Sequence, residues 1–354
     1  MGTPVFLRHN RAVGYDRNDP SVKILVTGAA GLLGGEICAR LVAGGHEVHA
    51  LVRKTPDVRA NDGQPVAVAS VLTGDVTQPM LGLSADQAQC DLVVHCAATT
   101  RFDLVEEDYL ATNVGGVRNA IAFAEARGAA LLHVSTAYVC GQRDGTIGEG
   151  DPLPETGFAN GYEASKAAGE KLVRASEVDW AIARPSIVVG EHESGAIRQF
   201  DTTYAAFKLI ADGRVKHMEA RPQATLDFVP IDHVAKGIVA LAQRMDSAAG
   251  GTFHLVSGQP LPVEDFAAAI GAVPHFHRPE LIAPEDFDPA AMPPLERRLY
   301  RRVAGLYAAY FQRNPQFDAS RFEALTGLAC PPTGNTYIAR LIGYCMEAGF
   351  LPRA

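Results

Sequence analysis

The 354-residue chain has no run of about 18 apolar residues, so no segment reads as a membrane span. Its six cysteines (Cys38, Cys90, Cys96, Cys140, Cys330, Cys345) are scattered, with no C-x-x-C pair. That spacing excludes a disulfide framework and a cysteine-based metal site, and it fits reduced thiols in a cytoplasmic protein. A surplus of basic charge is also missing. The net charge of -8 argues against nucleic acid or an anionic membrane as the main partner. No internal repeat or low-complexity tract breaks the chain, and residues 1–20 lack the apolar centre of a signal peptide. They read as a flexible N-terminal arm.

Apolar runs alternating with helical patterns fill residues 22–190. Val22 to Val26 predicts a buried strand that runs into Thr27-Gly28-Ala29-Ala30-Gly31-Leu32-Leu33-Gly34, followed by a helix through Val42. Glycines at 28, 31 and 34 permit a tight turn, close approach to a pyrophosphate and close helix–sheet packing. Further strands are expected at His46–Val52, Val66–Leu72, Asp91–His95, Ala129–Val134 and Trp180–Ala183. Strands apolar on both faces, separated by helices, predict an α/β fold: a Rossmann-type doubly wound parallel sheet. Residues 21–190 are expected to form this dinucleotide-binding domain, with 225–256 returning to it. Residues 191–354 form a smaller, mainly helical part that binds substrate.

Tyr162-Glu163-Ala164-Ser165-Lys166 sets a phenol and an ammonium one helical turn apart. An adjacent cation is expected to lower the tyrosine pKa toward working pH. Ser135-Thr136 closes the preceding strand, where a hydroxyl can bond a substrate carbonyl oxygen as charge builds on it. Arg53-Lys54, at the end of the second strand, suits the 2′-phosphate of NADP(H) better than the 2′-hydroxyl of NAD(H), the lesser alternative. Asp75 is balanced between accepting from an adenine amine and capping the next turn. Cys96-Ala97-Ala98 is small enough for backbone to lie against a cofactor. His95 reads as a core histidine, Asn113 as a residue that positions the site indirectly, and Asp144 to Asn160 as a loop over the site.

Several stretches match one family's motifs. Thr27 to Gly34 fits T-G-x-x-G-x-x-G. Gly74-Asp75-Val76-Thr77-Gln78-Pro79 with Leu81-Gly82-Leu83-Ser84 fits G-D-[LV]-[ST]-x-P-x-L-G-L-S. His95 to Asp103 fits H-x-A-A-x-x-[RN]-F-[DN], Val134 to Val139 fits V-S-T-A-Y-V, and Arg184 to Val188 fits R-P-S-I-V. Across residues 22–260 the chain resembles an extended short-chain dehydrogenase/reductase, specifically the fatty acyl-CoA reductase and thioester reductase branch. Asn314-Pro315-Gln316-Phe317-Asp318 loosely resembles the branch's C-terminal region.

The resemblance implies Thr136, Tyr162 and Lys166 as the catalytic set. It places the cofactor against Gly28, Ala30, Gly31, Leu32, Leu33, Gly34, Arg53, Asp75, Val76, Cys96, Ala97, Ala98, Tyr162, Lys166, Arg184, Pro185 and Ile187. The implied activity is NADPH-dependent reduction of an acyl thioester, borne by coenzyme A or an acyl carrier protein, to an aldehyde or onward to an alcohol. The rival readings are a reductase of free aldehydes or ketones, a sugar-nucleotide epimerase or dehydratase, and a non-catalytic dinucleotide-binding protein. Ala137-Tyr138, standing where dehydratases often carry Asp-Glu, counts against the third of these four readings.

Overall fold

The computed structural model describes residues 22–84 and 86–353. The arm expected over residues 1–20 lies outside them. Seven parallel strands make the central sheet: β1 (Lys23–Thr27), β2 (Glu47–Val52), β3 (Ser70–Thr73), β4 (Leu92–His95), β5 (Ala130–Val134), β6 (Trp180–Pro185) and β7 (Gly251–Leu255). Their order is β7-β6-β5-β4-β1-β2-β3. Strand order reverses between β1 and β4, which opens a crevice at the carboxyl ends of those two strands.

Strand periodicity sorts the core into two layers. Ile24 and Val26 face a layer that includes Ile37 and Leu41 of helix α1 (Leu32–Ala43). Leu25 faces the opposite layer with Val117, Phe123 and Ala124 of α2 (Gly116–Arg127) and Val173 of α3 (Gly161–Ala175). Helix α4 (Ile231–Ala242) adds Val234, Ile238 and Leu241 to the first layer. A third apolar cluster joins residues 197–228 to 261–351, including α5 (Pro294–Arg302) and α6 (Asn335–Glu347).

Three expected elements are subdivided. The helix expected over Glu106 to Arg127 contains a π-helical stretch, Leu110–Gly115, which carries Asn113. The strand expected over Leu226 to Pro230 breaks at Asp227, whose Oδ1 turns inward to accept from Ser186 Oγ at 2.5 Å and Ser257 N at 2.8 Å. Its two halves pair separately, with Leu261–Pro262 and with Ile187–Val189. The helix expected over Pro294 to Gln312 stops at Val303 (φ -135°) and continues as a 3₁₀ segment, Ala304–Gln312. The loop expected over Asp144 to Asn160 is pinned instead. Its Gly145–Ile147 pairs in parallel with Pro315–Phe317 of the C-terminal motif.

Candidate active site

The crevice opens into a cavity of ≈ 940 Å³. Its sheet side begins at the turn after β1. Gly28 has φ +70°, and a Cβ there would lie 2.9 Å from the backbone of Ala97; a Cβ on Gly34 would lie 2.2 Å from the Gly28 carbonyl oxygen. Both positions therefore exclude larger residues. Thr27 Oγ1 accepts from Ala97 N at 3.2 Å, which ties the ends of β1 and β4 across the switch point. Helix α1 then starts at an extended Gly31 with no side-chain cap, leaving its first amides directed at the cavity. Uncapped amides and a positive helix end suit a pyrophosphate, so these residues fit a dinucleotide.

Gly28, Ala30, Gly31, Leu32, Leu33, Gly34, Arg53, Asp75, Val76, Cys96, Ala97, Ala98, Pro185 and Ile187 all line this cavity, together with Thr136, Tyr162 and Lys166. Arg184 does not. It is 2% exposed and donates through Nε and Nη2 to Glu170 of α3 at 2.8 and 2.7 Å. Successive residues of a strand face opposite ways, so Pro185 meets the cavity and Arg184 turns behind it. The expected cofactor contact of Arg184 is thus replaced by a structural ion pair.

Asp75 Oδ1 accepts from the backbone N and the hydroxyl of Thr77, at 2.9 and 2.8 Å, closing an Asx turn. Arg53 and Lys54 are exposed at the cavity edge. His95 Nδ1 bonds Thr27 Oγ1 at 2.9 Å, and its ring stacks on His133 at 5.6 Å. Burial, reinforced by the charge of Lys166, pushes His95 down to about 3, so it stays neutral. Asn113 Oδ1 accepts from Thr99 N at 2.8 Å, and its amide donates to Ser165 Oγ at 3.0 Å. Asn113 thereby joins the loop after β4 to the helix that bears Tyr162.

That helix starts with a built cap. Asn160 Oδ1 accepts from Glu163 N at 3.0 Å, and Glu163 Oε2 accepts from Ala159 N at 3.0 Å. Tyr162 and Lys166 face the cavity from the next turns. Lys166, however, does not acidify the tyrosine here. Its ammonium donates to the Val134 carbonyl at 2.6 Å, and burial raises the phenol above its usual range, with a hydrogen bond from Thr136 working the other way. The expected lowering fails because helical spacing sets the face of a side chain but not the partner of its terminal atom. Burial also lowers Lys166 to about 8, against the opposing pull of Cys96 and Glu170. The resulting pair is a protonated phenol beside an ammonium that titrates just above neutrality.

The other end of the cavity is aromatic and apolar. Phe102 stands 5.6 Å from Tyr162, 5.1 Å from Tyr307 and 6.0 Å from Tyr310, ring centre to ring centre. Tyr138 meets Tyr310 edge-on at 4.6 Å. Behind them, Arg313 lies between Tyr138 and Tyr310, 4.5 and 4.6 Å from their rings. It also donates to Gly141 O at 3.0 Å and pairs with Glu163 at 2.5 Å. Phe102 and Tyr138 sit inside family motifs, but nothing in those motifs marks them as walls of a compartment. Tyr307, Tyr310 and Arg313 are not read as site residues from sequence, since Phe102, Tyr138 and Glu163, which they meet in the site, lie far away in the chain.

Residues 26–238 match the model of the family described as "Male sterility protein", an NAD-binding family. The chain belongs to that family. It is an NAD(P)H-dependent oxidoreductase of the extended short-chain dehydrogenase/reductase type, in the thioester reductase group. It is 30% identical over 277 residues to a linear gramicidin synthase polypeptide of Brevibacillus parabrevis, a match covering 70% of this chain and 5% of that one. The chain therefore spans a small part of that synthase's length. Over 258 residues it is 28% identical to 4-hydroxy-2-methyl-3-oxo-4-farnesyl-3,4-dihydroquinoline-1-oxide ketoreductase of Stigmatella aurantiaca, covering 69% and 71%. Among solved structures, the terminal R domain of the myxalamid PKS-NRPS pathway superposes with a TM-score of 0.76 at 25% identity, covering 94% of this chain and 92% of that one. Among the described residues, no helix is long and apolar enough to cross a membrane, and no cluster of metal-ligating side chains occurs.

Proposed function

We propose that this family member reduces an acyl thioester with NADPH, releasing the thiol and an aldehyde. The supporting observation is the convergence of Thr136, Tyr162 and Lys166 between a dinucleotide cradle and an aromatic, apolar compartment within one cavity. When bound, the reduced nicotinamide supplies the hydride.

The chain's own residues govern the oxygen. Tyr162, protonated at neutral pH, donates to the thioester oxygen as charge develops there, and the Thr136 hydroxyl shares that charge. Lys166, held at the Val134 carbonyl, would meet the ribose hydroxyls and keep the phenol oriented. Gly28, Gly31 and Gly34 would admit the pyrophosphate, and Arg53 with Lys54 the 2′-phosphate of NADPH. Cys96, Ala97, Ala98, Pro185 and Ile187 would flank the nicotinamide. Apolar walls around Phe102, Tyr307 and Tyr310 keep water from the thioester.

The similarity to a ketoreductase supports a second reading, reduction of a free carbonyl at the same triad. The two part in one assay that follows NADPH absorbance. Consumption with an acyl-pantetheine thioester, and thiol released in equal amount, is expected. Consumption with the matching aldehyde alone would leave the carbonyl reading. Replacing Arg53 with Ala is expected to weaken NADPH by about 1.5–3 kcal/mol and spare NADH; equal loss of both would remove the 2′-phosphate contact.

A further inference from the structure

Helix α5 leads directly into the 3₁₀ segment whose Ala304, Tyr307 and Tyr310 line the cavity. Its faces differ sharply. Tyr300 is buried and Leu299 packs against the C-terminal core. Glu296, its one acid, also turns inward, accepting from Lys216 N at 2.8 Å and His217 N at 3.1 Å. Outward stand Leu295, 59% exposed, and the exposed Arg298, Arg301 and Arg302. Spacings of three and four residues put them on one face.

Some other exposed arginines sit beside carboxylates, as in Arg101–Asp103 and Arg221–Asp144 at 2.8 and 3.3 Å. Arg298, Arg301 and Arg302 have no such pair among the described residues, although the chain as a whole carries a charge of -8. Like charges at these spacings weaken a helix by a few tenths of a kcal/mol each. An exposed leucine ringed by unneutralised arginines has the make-up of an interface: an apolar anchor with a charged rim.

Resting on the thioester reading, we propose that the outer face of α5, with Leu295, Arg298, Arg301 and Arg302, docks an acidic carrier protein that presents the acyl thioester on a flexible arm. The location carries this choice. Arg302 lies two residues from Ala304, which lines the cavity, so the helix ends at the cavity wall. Asp108, in the acidic turn Glu106–Tyr109, lines the same cavity and would repel such a partner, which favours α5 as its seat.

The test combines Arg298→Glu, Arg301→Glu and Arg302→Glu, with Leu295→Asp as an independent variant. Binding of a phosphopantetheinylated acyl carrier protein of net negative charge is followed by fluorescence anisotropy without NADPH, so the readout stands whether or not thioester reduction occurs. Kinetics then compare the same acyl group on the carrier, on pantetheine and on coenzyme A. Binding to the unaltered protein should weaken as salt rises. Both variants should raise the carrier Kd and KM by about tenfold or more, and kcat/KM for acyl-pantetheine should change far less. No binding by the unaltered protein, unchanged carrier binding in the variants, or equal loss with acyl-pantetheine would overturn the proposal. A loss confined to acyl-coenzyme A would also overturn it, assigning the arginines to that cofactor's phosphates. If the unaltered protein binds carrier but turns over no thioester, the reaction assignment fails and the docking surface stands.

Discussion

Two buried arginine–carboxylate pairs hang from one helix and fasten different halves of the molecule. Glu170 of α3 grips Arg184, 14 residues away on β6, and locks the helix to the sheet. Glu163, two turns earlier, grips Arg313, 150 residues away, and locks the same helix to the C-terminal part. The first pair closes a unit built from near neighbours. The second is the seam along which the substrate compartment is attached, and Tyr162 stands beside it. Cofactor chemistry and substrate fit therefore depend on contacts of different range, and each can be disturbed alone.

The largest effect is expected at the seam. Replacing Tyr162 with Phe should cut kcat by about 10²–10⁴ with little change in NADPH affinity, because the hydroxyl acts mainly on developing charge. The ring would still pack on Phe102, so the compartment should keep its shape. Steady-state kinetics with cofactor titration checks this; near-normal turnover would move the acid to another residue.

Cutting the two pairs compares the halves directly. Arg313→Ala strands the buried Glu163 carboxylate, at a cost of about 3–5 kcal/mol. Arg184→Ala should cost less, because Arg174 Nη2 still donates to Glu170 Oε2 at 3.2 Å, and both losses are visible as a lowered Tm. Their kinetics should diverge. Arg313 braces Tyr138 and Tyr310 from behind, so its loss should raise the acyl KM while leaving the NADPH Kd near normal. Arg184 touches neither compartment, so its loss should move stability alone. Equal shifts in KM would erase the distinction, and Arg→Lys variants keep the charge if the alanine forms fail to fold.

A smaller effect is expected from pH. Lys166 carries its charge below about 8 and loses it as pH rises through that value, because burial favours the neutral amine. Tyr162 is shifted upward and keeps its proton over the same range. The alkaline limb of kcat/KM should therefore begin near pH 8 and belong to the sheet half. A flat profile to pH 10 would remove Lys166 from the chemistry.

The sheet half is legible because its signals are local. Glycine spacing, alternating apolar runs and the Tyr162–Lys166 interval each fit within a few turns of chain, and each leads to the cavity. Arg184 is misassigned because motif adjacency ignores strand alternation: next to Pro185 in sequence means opposite to it in space. The pKa of Tyr162 runs against expectation because burial and the neighbouring Glu163 charge raise it, while the ammonium of Lys166 gives its bond to Val134. Around the C-terminal half little can be read. Asn314 to Asp318 stands out as a motif, yet its use, pairing with Gly145–Ile147 and flanking Arg313, depends on contacts about 170 residues apart. Periodicity cannot report such pairings.

The smallest expected effect sharpens the same contrast inside the sheet half. Asp75 faces the cavity, but its Oδ1 is already committed to Thr77, two residues on. A loop tied to itself should lose mainly local order when cut. Asp75→Ala is therefore expected to cost about 1 kcal/mol of stability and to raise the NADPH Kd less than about threefold, while Asp75→Asn, which keeps an acceptor oxygen, restores most of the loss. Calorimetry with and without NADPH separates the two contributions. A tenfold rise in Kd for the alanine form, rescued by asparagine, would show that this carboxylate also receives the adenine amine, and that even the self-contained half has a side chain serving turn and ligand at once.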